Sequence, residues 1–452
     1  MTDDLTTPPP QRDLTPGDPH TTPGHPSPTP GHPHEGGDLN PRPHNRRTPT
    51  PTRAKLSTAE YVAELLALVS PSPETEQIPL DAAPGRVLAA DVTASVPNPV
   101  FTNSAMDGYA VRAADVETLP VRLRVIADVP AGSGTDPALD AGECARIMTG
   151  APLPSAADTV VPVEDTDGGT DWVEIRTAQA GRHVRHAGED YPAGQVVATA
   201  GLRITPGVLG AIAAAGATSV IVRRAPKVAV CATGDELIAD GRELSRGQLY
   251  DSNSHVLAAA LRRDGALVIR GEPVPDRPEA LAAWLDEVAP VADLIVVTGG
   301  ASVGAYDVVR DLLSERADGV FRHVRVQPGK PQGWARWAGT PVVALPGNPL
   351  SASLCYEFFV RPVVERLLQV AGPAEFTAVA AAGWGCPPGR MQLLPVRLDT
   401  SEDGRLLATP VHARGSASHL TSALGGADAI GIVAEEVDRV SAGDLLRVRL
   451  FA

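Results

Sequence analysis

Cysteine is scarce and scattered: Cys144, Cys231, Cys355 and Cys386 include no C-x-x-C pair. That spacing excludes a zinc ribbon and a disulfide framework, and it suits a reducing cytosol. Aromatic residues make up only 4% of the chain, and no basic run or helical stripe offsets a formal net charge of -15, so an electrostatic nucleic-acid binder is excluded. No apolar run reaches the length of a membrane span, and the opening MTDDLTTPPP is acidic where a signal peptide is basic. Two common nucleotide signatures are missing as well: there is no GxxxxGK[ST] P-loop and no GxGxxG fingerprint. The histidines are scattered, and no Ser-His-Asp arrangement can be drawn from their spacing. Cys231 stands at a predicted strand end among apolar neighbours and reads as an inert buried thiol. A small ligand or a protein remains as the expected partner.

What is present begins with a Pro-, Thr-, Gly- and His-rich segment over residues 1–53, in which TPGHP occurs twice. Such a composition buries too little apolar surface to offset ordering, which predicts a disordered tail. Ser57 and Glu60 then form an S-x-x-E capping box ahead of Tyr61, Leu65, Leu68 and Val69, one face of a packing helix that Pro71 and Pro73 end. Short extended segments at 121–129, 143–148, 159–163 and 172–175 predict a small β-rich domain. Thr205 and Pro206 open a helix that Gly216 closes.

From Lys227 to Val370 strands and helices alternate, which predicts a parallel α/β sheet with ligand loops at the carboxyl ends of its strands. Three of those ends carry unusual loops: Thr233-Gly234-Asp235-Glu236, Thr298-Gly299-Gly300-Ala301-Ser302 and Pro346-Gly347-Asn348-Pro349-Leu350-Ser351. The stretch DLIVVTGGASVGAYD, from Asp293 to Asp307, is a buried strand breaking into glycines. Backbone N–H groups there favour an anion, although a tight turn with no ligand would read the same way. Asp235, Glu236 and Asp307 stand near that loop, together with Lys330 of Pro328-Gly329-Lys330-Pro331. Carboxylates beside a phosphate repel it unless a hard cation bridges them, so the pattern predicts a phosphate-bearing ligand with Mg²⁺. After about residue 371 strands return and predict a C-terminal β-domain. The fold class is therefore multidomain α/β, with a central parallel α/β sheet domain flanked by small β-rich domains.

These loops together resemble the molybdopterin molybdenumtransferase family, known as MoeA in bacteria and as the E-domain of gephyrin in animals. The motifs that carry the resemblance include Asn103-Ser104-Ala105-Met106-Asp107-Gly108-Tyr109-Ala110, Met148-Thr149-Gly150-Ala151-Pro152, Gly188-Glu189-Asp190, Thr233-Gly234-Asp235-Glu236, Tyr250-Asp251-Ser252-Asn253, Val274-Pro275-Asp276, Gly299 to Gly304, PGKP and PGNP. The resemblance implies that molybdate is inserted into the dithiolene of adenylylated molybdopterin, releasing AMP, with Mg²⁺ assisting. By motif it implies Asp107, Thr149, Asp190, Glu236, Asp276, Asp307 and Lys330 as catalytic residues. Gly299, Gly300, Ser302, Gly304, Pro328, Pro331, Gly347, Asn348, Ser351, Arg390 and Ser418 would bind the substrate, and Asp235 with Asp307 the metal. It implies a molybdopterin-binding central domain at 224–370, and a linker and dimerisation domain at 54–100 and 188–223. The NSAMDGYA-bearing domain would span 101–187 and the C-terminal domain 371–452. A homodimer follows, whose cleft joins the α/β domain of one subunit to the small domain of the other. A pterin adenylyltransferase and molybdoenzyme chaperones are the implied partners, in the cytoplasm, with no membrane and no nucleic acid. Where the family often has lysines before PGKP, this chain has His323 and Gln327, and Arg325 is a candidate to supply the missing charge. The same architecture serves as a receptor-clustering scaffold in animals, which leaves an interaction protein as the second class.

Overall fold

The protein is represented by a computed structural model that describes residues 55–238, 241–300 and 307–451. The tail expected over residues 1–53, and Ser302 and Gly304 of the glycine loop, lie outside the described residues. The capping box forms: the Ser57 hydroxyl accepts from the Glu60 N–H at 3.2 Å, and the Glu60 carboxylate accepts from the Ser57 N–H at 2.7 Å. The helix Thr58–Leu66 follows. By sequence this helix belongs with the linker segment 54–100, but it packs on the central α/β domain instead. The Tyr61 ring meets Phe359 edge-on at 5.1 Å, and its hydroxyl donates to the Gly333 carbonyl at 3.2 Å. An apolar face of Tyr61, Leu65, Leu68 and Val69 is best buried where the largest core is, and that core belongs to the α/β domain.

The chain then runs out through one segment and back through the same segment. Thr75–Pro79 pairs antiparallel with Ser219–Arg223, and Val92–Thr93 with Val196–Ala198. Between these pairings lies a five-stranded sheet, built in spatial order from Thr159–Pro162, Gly108–Val111, Glu143–Ile147, Val121–Val129 and Trp172–Ile175. The helix Pro206–Ala214 starts as its sequence signals, with the Thr205 hydroxyl accepting from the Val208 N–H and proline at the first turn.

The central domain comprises β1 (Lys227–Ala232), α1 (Asn253–Arg263), β2 (Leu267–Arg270), α2 (Pro278–Val288), β3 (Leu294–Thr298), α3 (Val308–Arg316), β4 (Val320–His323), β5 (Pro331–Trp337), β6 (Thr340–Leu345) and α4 (Pro349–Cys355). The chain stays helical past α4 through a π-turn at Tyr356–Val360 and the helix Arg361–Leu368. Strand order is β2-β1-β3-β6-β5-β4. The β2-β1-β3-β6 part is parallel, as the βα rhythm requires. β5 and β4 extend it antiparallel, a feature the rhythm does not signal. β5 and β6 are joined by a two-residue hairpin at Ala338-Gly339, both with positive φ (48° and 91°), whose twist matches that of paired strands. Because β2 lies on one side of β1 and β3 on the other, the chain changes direction between β1 and β3, where an open α/β sheet leaves a crevice at its strand ends.

The C-terminal strands close on themselves. Met391–Thr400 pairs with Leu406–Pro410 and with Ala429–Val433; Leu445–Leu450 and Glu375–Ala380 complete a ring around their own core. No helix among the described residues is long and apolar enough to cross a membrane.

Candidate active site

The three loops singled out in the sequence open on one edge of the sheet. The Thr233 N–H donates to the Thr298 carbonyl at 2.8 Å, and the Gly299 N–H to the Leu345 carbonyl at 3.3 Å, so the ends of β1, β3 and β6 are laced together. Gly299 has a φ of 102°, and a Cβ there would stand 2.5 Å from the Thr233 carbonyl oxygen. Glycine is therefore demanded by the crossing of two loops, independently of any ligand. Asn253, at the start of α1, bridges the loops. Its Nδ2 donates to Thr298 Oγ1 at 3.1 Å and to the Gly347 carbonyl at 2.7 Å, while Thr298 Oγ1 donates to the Pro346 carbonyl at 2.9 Å. The Asn253 Oδ1 and the Thr233 Oγ1 are buried without a hydrogen-bond partner.

Above this floor lies a cleft of about 660 Å³. The lining combines the carboxylates Glu236, Asp276 and Asp307 with the cations Lys330 and Arg390. Burial holds the Asp276 carboxyl above the usual aspartate range, and repulsion from Glu236, Asp235 and Asp307 adds to the rise against an opposing hydrogen bond at the Asp235 backbone. Asp235 lies just outside the cleft lining and accepts from the Asp276 N–H at 3.1 Å. Among the described residues no three His, Cys, Asp or Glu side chains are close enough to hold a metal by themselves. A mutually repelling acidic group without a protein cage fits a Mg²⁺ ion that takes one or two carboxylates and completes its shell with phosphate oxygens and water.

The rest of the lining is shared between domains. Pro328, Lys330 and Pro331 come from the PGKP turn, Gly347, Asn348 and Ser351 from the PGNPLS loop, and Arg390, Ser416 and Ser418 from the C-terminal barrel. Ser416 is oriented by a relay in which Trp384 Nε1 donates to Gln392 Oε1 at 3.0 Å and Gln392 Nε2 donates to Ser416 Oγ at 3.2 Å. The Leu350 N–H donates to the Ser418 carbonyl at 3.1 Å, which ties the barrel to the start of α4.

Scanned against known families, the chain matches three models in succession: "MoeA N-terminal region (domain I and II)" over residues 56–216, "Probable molybdopterin binding domain" over 229–366, and "MoeA C-terminal region (domain IV)" over 377–451. The chain belongs to the MoeA family. Molybdopterin molybdenumtransferase 2 of Mycobacterium tuberculosis is 42% identical over 401 residues, covering 86% of this chain and 96% of that protein. Molybdopterin molybdenumtransferase of a Nostoc species is 37% identical over 336 residues, covering 72% and 77%. Among solved structures, a molybdopterin biosynthesis MoeA protein from Pyrococcus horikoshii superposes with a TM-score of 0.70 at 31% identity, covering 88% of this chain and all of that one.

Of the MoeA motif residues named from sequence, the cleft gathers Glu236, Asp276, Asp307, Lys330, Gly299, Gly300, Pro328, Pro331, Gly347, Asn348, Ser351, Arg390 and Ser418. It does not gather Asp107, Thr149, Asp190 or Asp235, so of the metal pair named from sequence only Asp307 lines the cleft. Asp107 lies exposed in the small β-rich domain, where its Oδ1 accepts from the Thr149 N–H and hydroxyl, both at 2.7 Å. Those two bonds hold its carboxyl below the usual range. Asp190 accepts from Asn98 Nδ2 at 2.8 Å. Arg325 does not replace the missing lysine charge at the cleft: it is held bidentate by Glu435 at 2.7 and 3.0 Å. Cys231 is fully buried, and desolvation raises its thiol pKa well above the usual value, as an inert thiol requires. Sequence reasoning passed over Thr233, Asn253, Gln327 and Ser416 as site residues. Asn253 carried a signal in its Tyr250-Asp251-Ser252-Asn253 motif, but nothing in that motif says that its amide reaches two other loops.

Proposed function

We propose that this protein inserts molybdate into adenylylated molybdopterin, releasing AMP and forming molybdenum cofactor. It is a transferase of molybdenum cofactor biosynthesis, in keeping with its family. The observation that carries the finer reading is the cleft at the β1/β3 switch point, whose lining brings Glu236, Asp276 and Asp307 together with Lys330, Arg390 and serine side chains. A substrate with a pyrophosphate link suits the glycine turn and the carboxylates once a hard cation is present. A tetrahedral oxyanion suits the cationic part of the lining, where Lys330 and Arg390 supply charge and Ser351, Ser416 and Ser418 supply hydroxyl donors.

When bound, Mg²⁺ would neutralise the developing charge on the phosphate link, held by Asp307 with Glu236 or Asp276. Asp276, with its raised pKa, gains most from such a neighbour. Gly299, Gly300 and Asn348 line the floor and rim where the nucleotide end would lie. We assign the small domain at 101–187, with the adjoining Gly188-Glu189-Asp190, to a second subunit's cleft in a homodimer formed through the linker segments at 54–100 and 188–223. Asp107, Thr149 and Asp190 then reach the substrate from the partner. In this reading the adenylylated pterin comes from a pterin adenylyltransferase and the product passes to molybdoenzyme chaperones in the cytoplasm.

The test is AMP release from adenylylated molybdopterin with and without molybdate. Release that depends on molybdate is expected, and release indifferent to it would overturn the reading. Mixing Asp107→Asn with Asp307→Asn subunits tests the shared cleft: partial activity returns if each cleft draws on both chains. Mixed dimers that stay inactive after verified subunit exchange would refute it.

A further inference from the structure

The placement of Arg390 depends on a join between two domains. Val326–Gln327, the two residues before the PGKP turn, pairs as a short parallel strand with the barrel strand Met391–Thr400, Val326 opposite Met391 and Gln327 opposite Gln392. The Met391 N–H donates to the Arg325 carbonyl at 2.9 Å and fixes that register. The join brings Gln327 beside Arg390, whose Nη1 donates to Gln327 Oε1 at 2.5 Å, and both side chains line the cleft with Lys330.

The chemistry of this holder separates Arg390 from Arg325. Arg325, at the same joint, is held across it by the Glu435 carboxylate, which takes up its charge. Among the described residues Arg390 has no ion pair, and its holder is a neutral amide oxygen. A carboxylate at that position would fix the guanidinium equally well and would also cancel its charge toward a ligand. An amide oxygen fixes it and leaves the charge in place. We infer that Gln327 is a positioning and specificity residue for the anion side of the cleft: it aims Arg390 across the domain joint and keeps its full charge available to a tetrahedral oxyanion. The inference rests on the reading that Lys330 and Arg390 receive molybdate.

The experiment measures molybdate binding by titration calorimetry, the KM for molybdate, AMP binding and thermal unfolding. It compares the full chain with Gln327→Glu, Gln327→Met, Lys330→Ala and Arg390→Ala. Gln327→Glu keeps size and hydrogen-bonding reach but places a negative charge against Arg390. It should weaken molybdate roughly tenfold to a hundredfold, through KM rather than kcat, with AMP affinity and unfolding midpoint near wild type. Gln327→Met releases the guanidinium without adding charge, and should weaken molybdate by less. Wild-type molybdate affinity in Gln327→Glu, with Lys330→Ala and Arg390→Ala both impaired, would overturn the inference and leave the anion subsite standing. Equal losses in Gln327→Met and Gln327→Glu would also overturn it, because packing alone would then explain both. Molybdate affinity that neither Lys330→Ala nor Arg390→Ala alters would overturn the subsite reading and the inference with it.

Discussion

Replacing Asn253 by alanine cuts the side chain of α1 that bridges the Thr298 turn and the Gly347 loop. Two hydrogen bonds from Nδ2 are lost, at 3.1 Å to Thr298 Oγ1 and 2.7 Å to the Gly347 carbonyl. Each contributes about 0.5–1.5 kcal/mol net, and a buried acceptor left without its donor costs about 1–3 kcal/mol. Two circumstances reduce the sum. Gly347 is exposed, so its carbonyl can take a water, and the substitution also removes the Asn253 Oδ1 that is buried without a partner. The expected net loss is about 1–2 kcal/mol, or roughly 2–4 °C in the unfolding midpoint per kcal/mol for a domain of this size. In the proposed reading the nucleotide phosphate lies against these two loops, so the functional cost should be larger. AMP binding by titration calorimetry should weaken about tenfold or more, with the fold retained by circular dichroism. Asn253→Asp should do worse than alanine, since it sets a second acceptor against the Gly347 carbonyl. If Asn253→Ala loses the expected stability yet binds AMP as tightly as wild type, the bridge serves the core alone and the reasoning fails.

Asp276 gives a pH prediction. Its folded pKa lies above the unfolded value, so its contribution to stability is full below the ordinary aspartate range and is lost as pH rises through the raised value. Asp276→Asn should therefore raise the unfolding midpoint of the ligand-free protein at neutral pH and flatten its pH dependence in the acid range, while weakening Mg²⁺-dependent nucleotide binding; an unchanged pH profile would refute the assigned repulsion. Gly329 offers a steric test. A Cβ there would stand 2.2 Å from Cys355 Sγ at a φ of 103°, whereas one at Gly389, with a φ of 61°, meets nothing within 4 Å. By urea unfolding Gly329→Ala should cost about 1–3 kcal/mol more than Gly389→Ala, from overpacking beyond the shared backbone strain. Equal costs would show that the PGKP turn yields freely.

Much of this site is written in local sequence, where the physics is short-ranged. The capping box at Ser57 and Glu60, the Thr205-Pro206 helix start, and the βα alternation from Lys227 onward depend on neighbours within a few residues. The parallel α/β sheet followed from them, and so did the edge on which three loops would meet. What the tertiary structure alone decided depends on contacts between residues far apart in the chain. The opening helix chose the α/β core over the linker because the larger apolar surface lay there. The antiparallel pairing of β5 with β6 turned on the two positive-φ residues Ala338 and Gly339, too short a signal to stand out against the βα rhythm. Arg325 and Arg390 look equally available in sequence, and they are separated by what folding sets beside each of them. Arg325 meets Glu435 and spends its charge within the protein, while Arg390 meets the neutral amide of Gln327, brought there by a two-residue strand across a domain boundary. Charge, unlike helix periodicity, is fixed by whichever group ends up nearest, and only the closed fold determines which group that is.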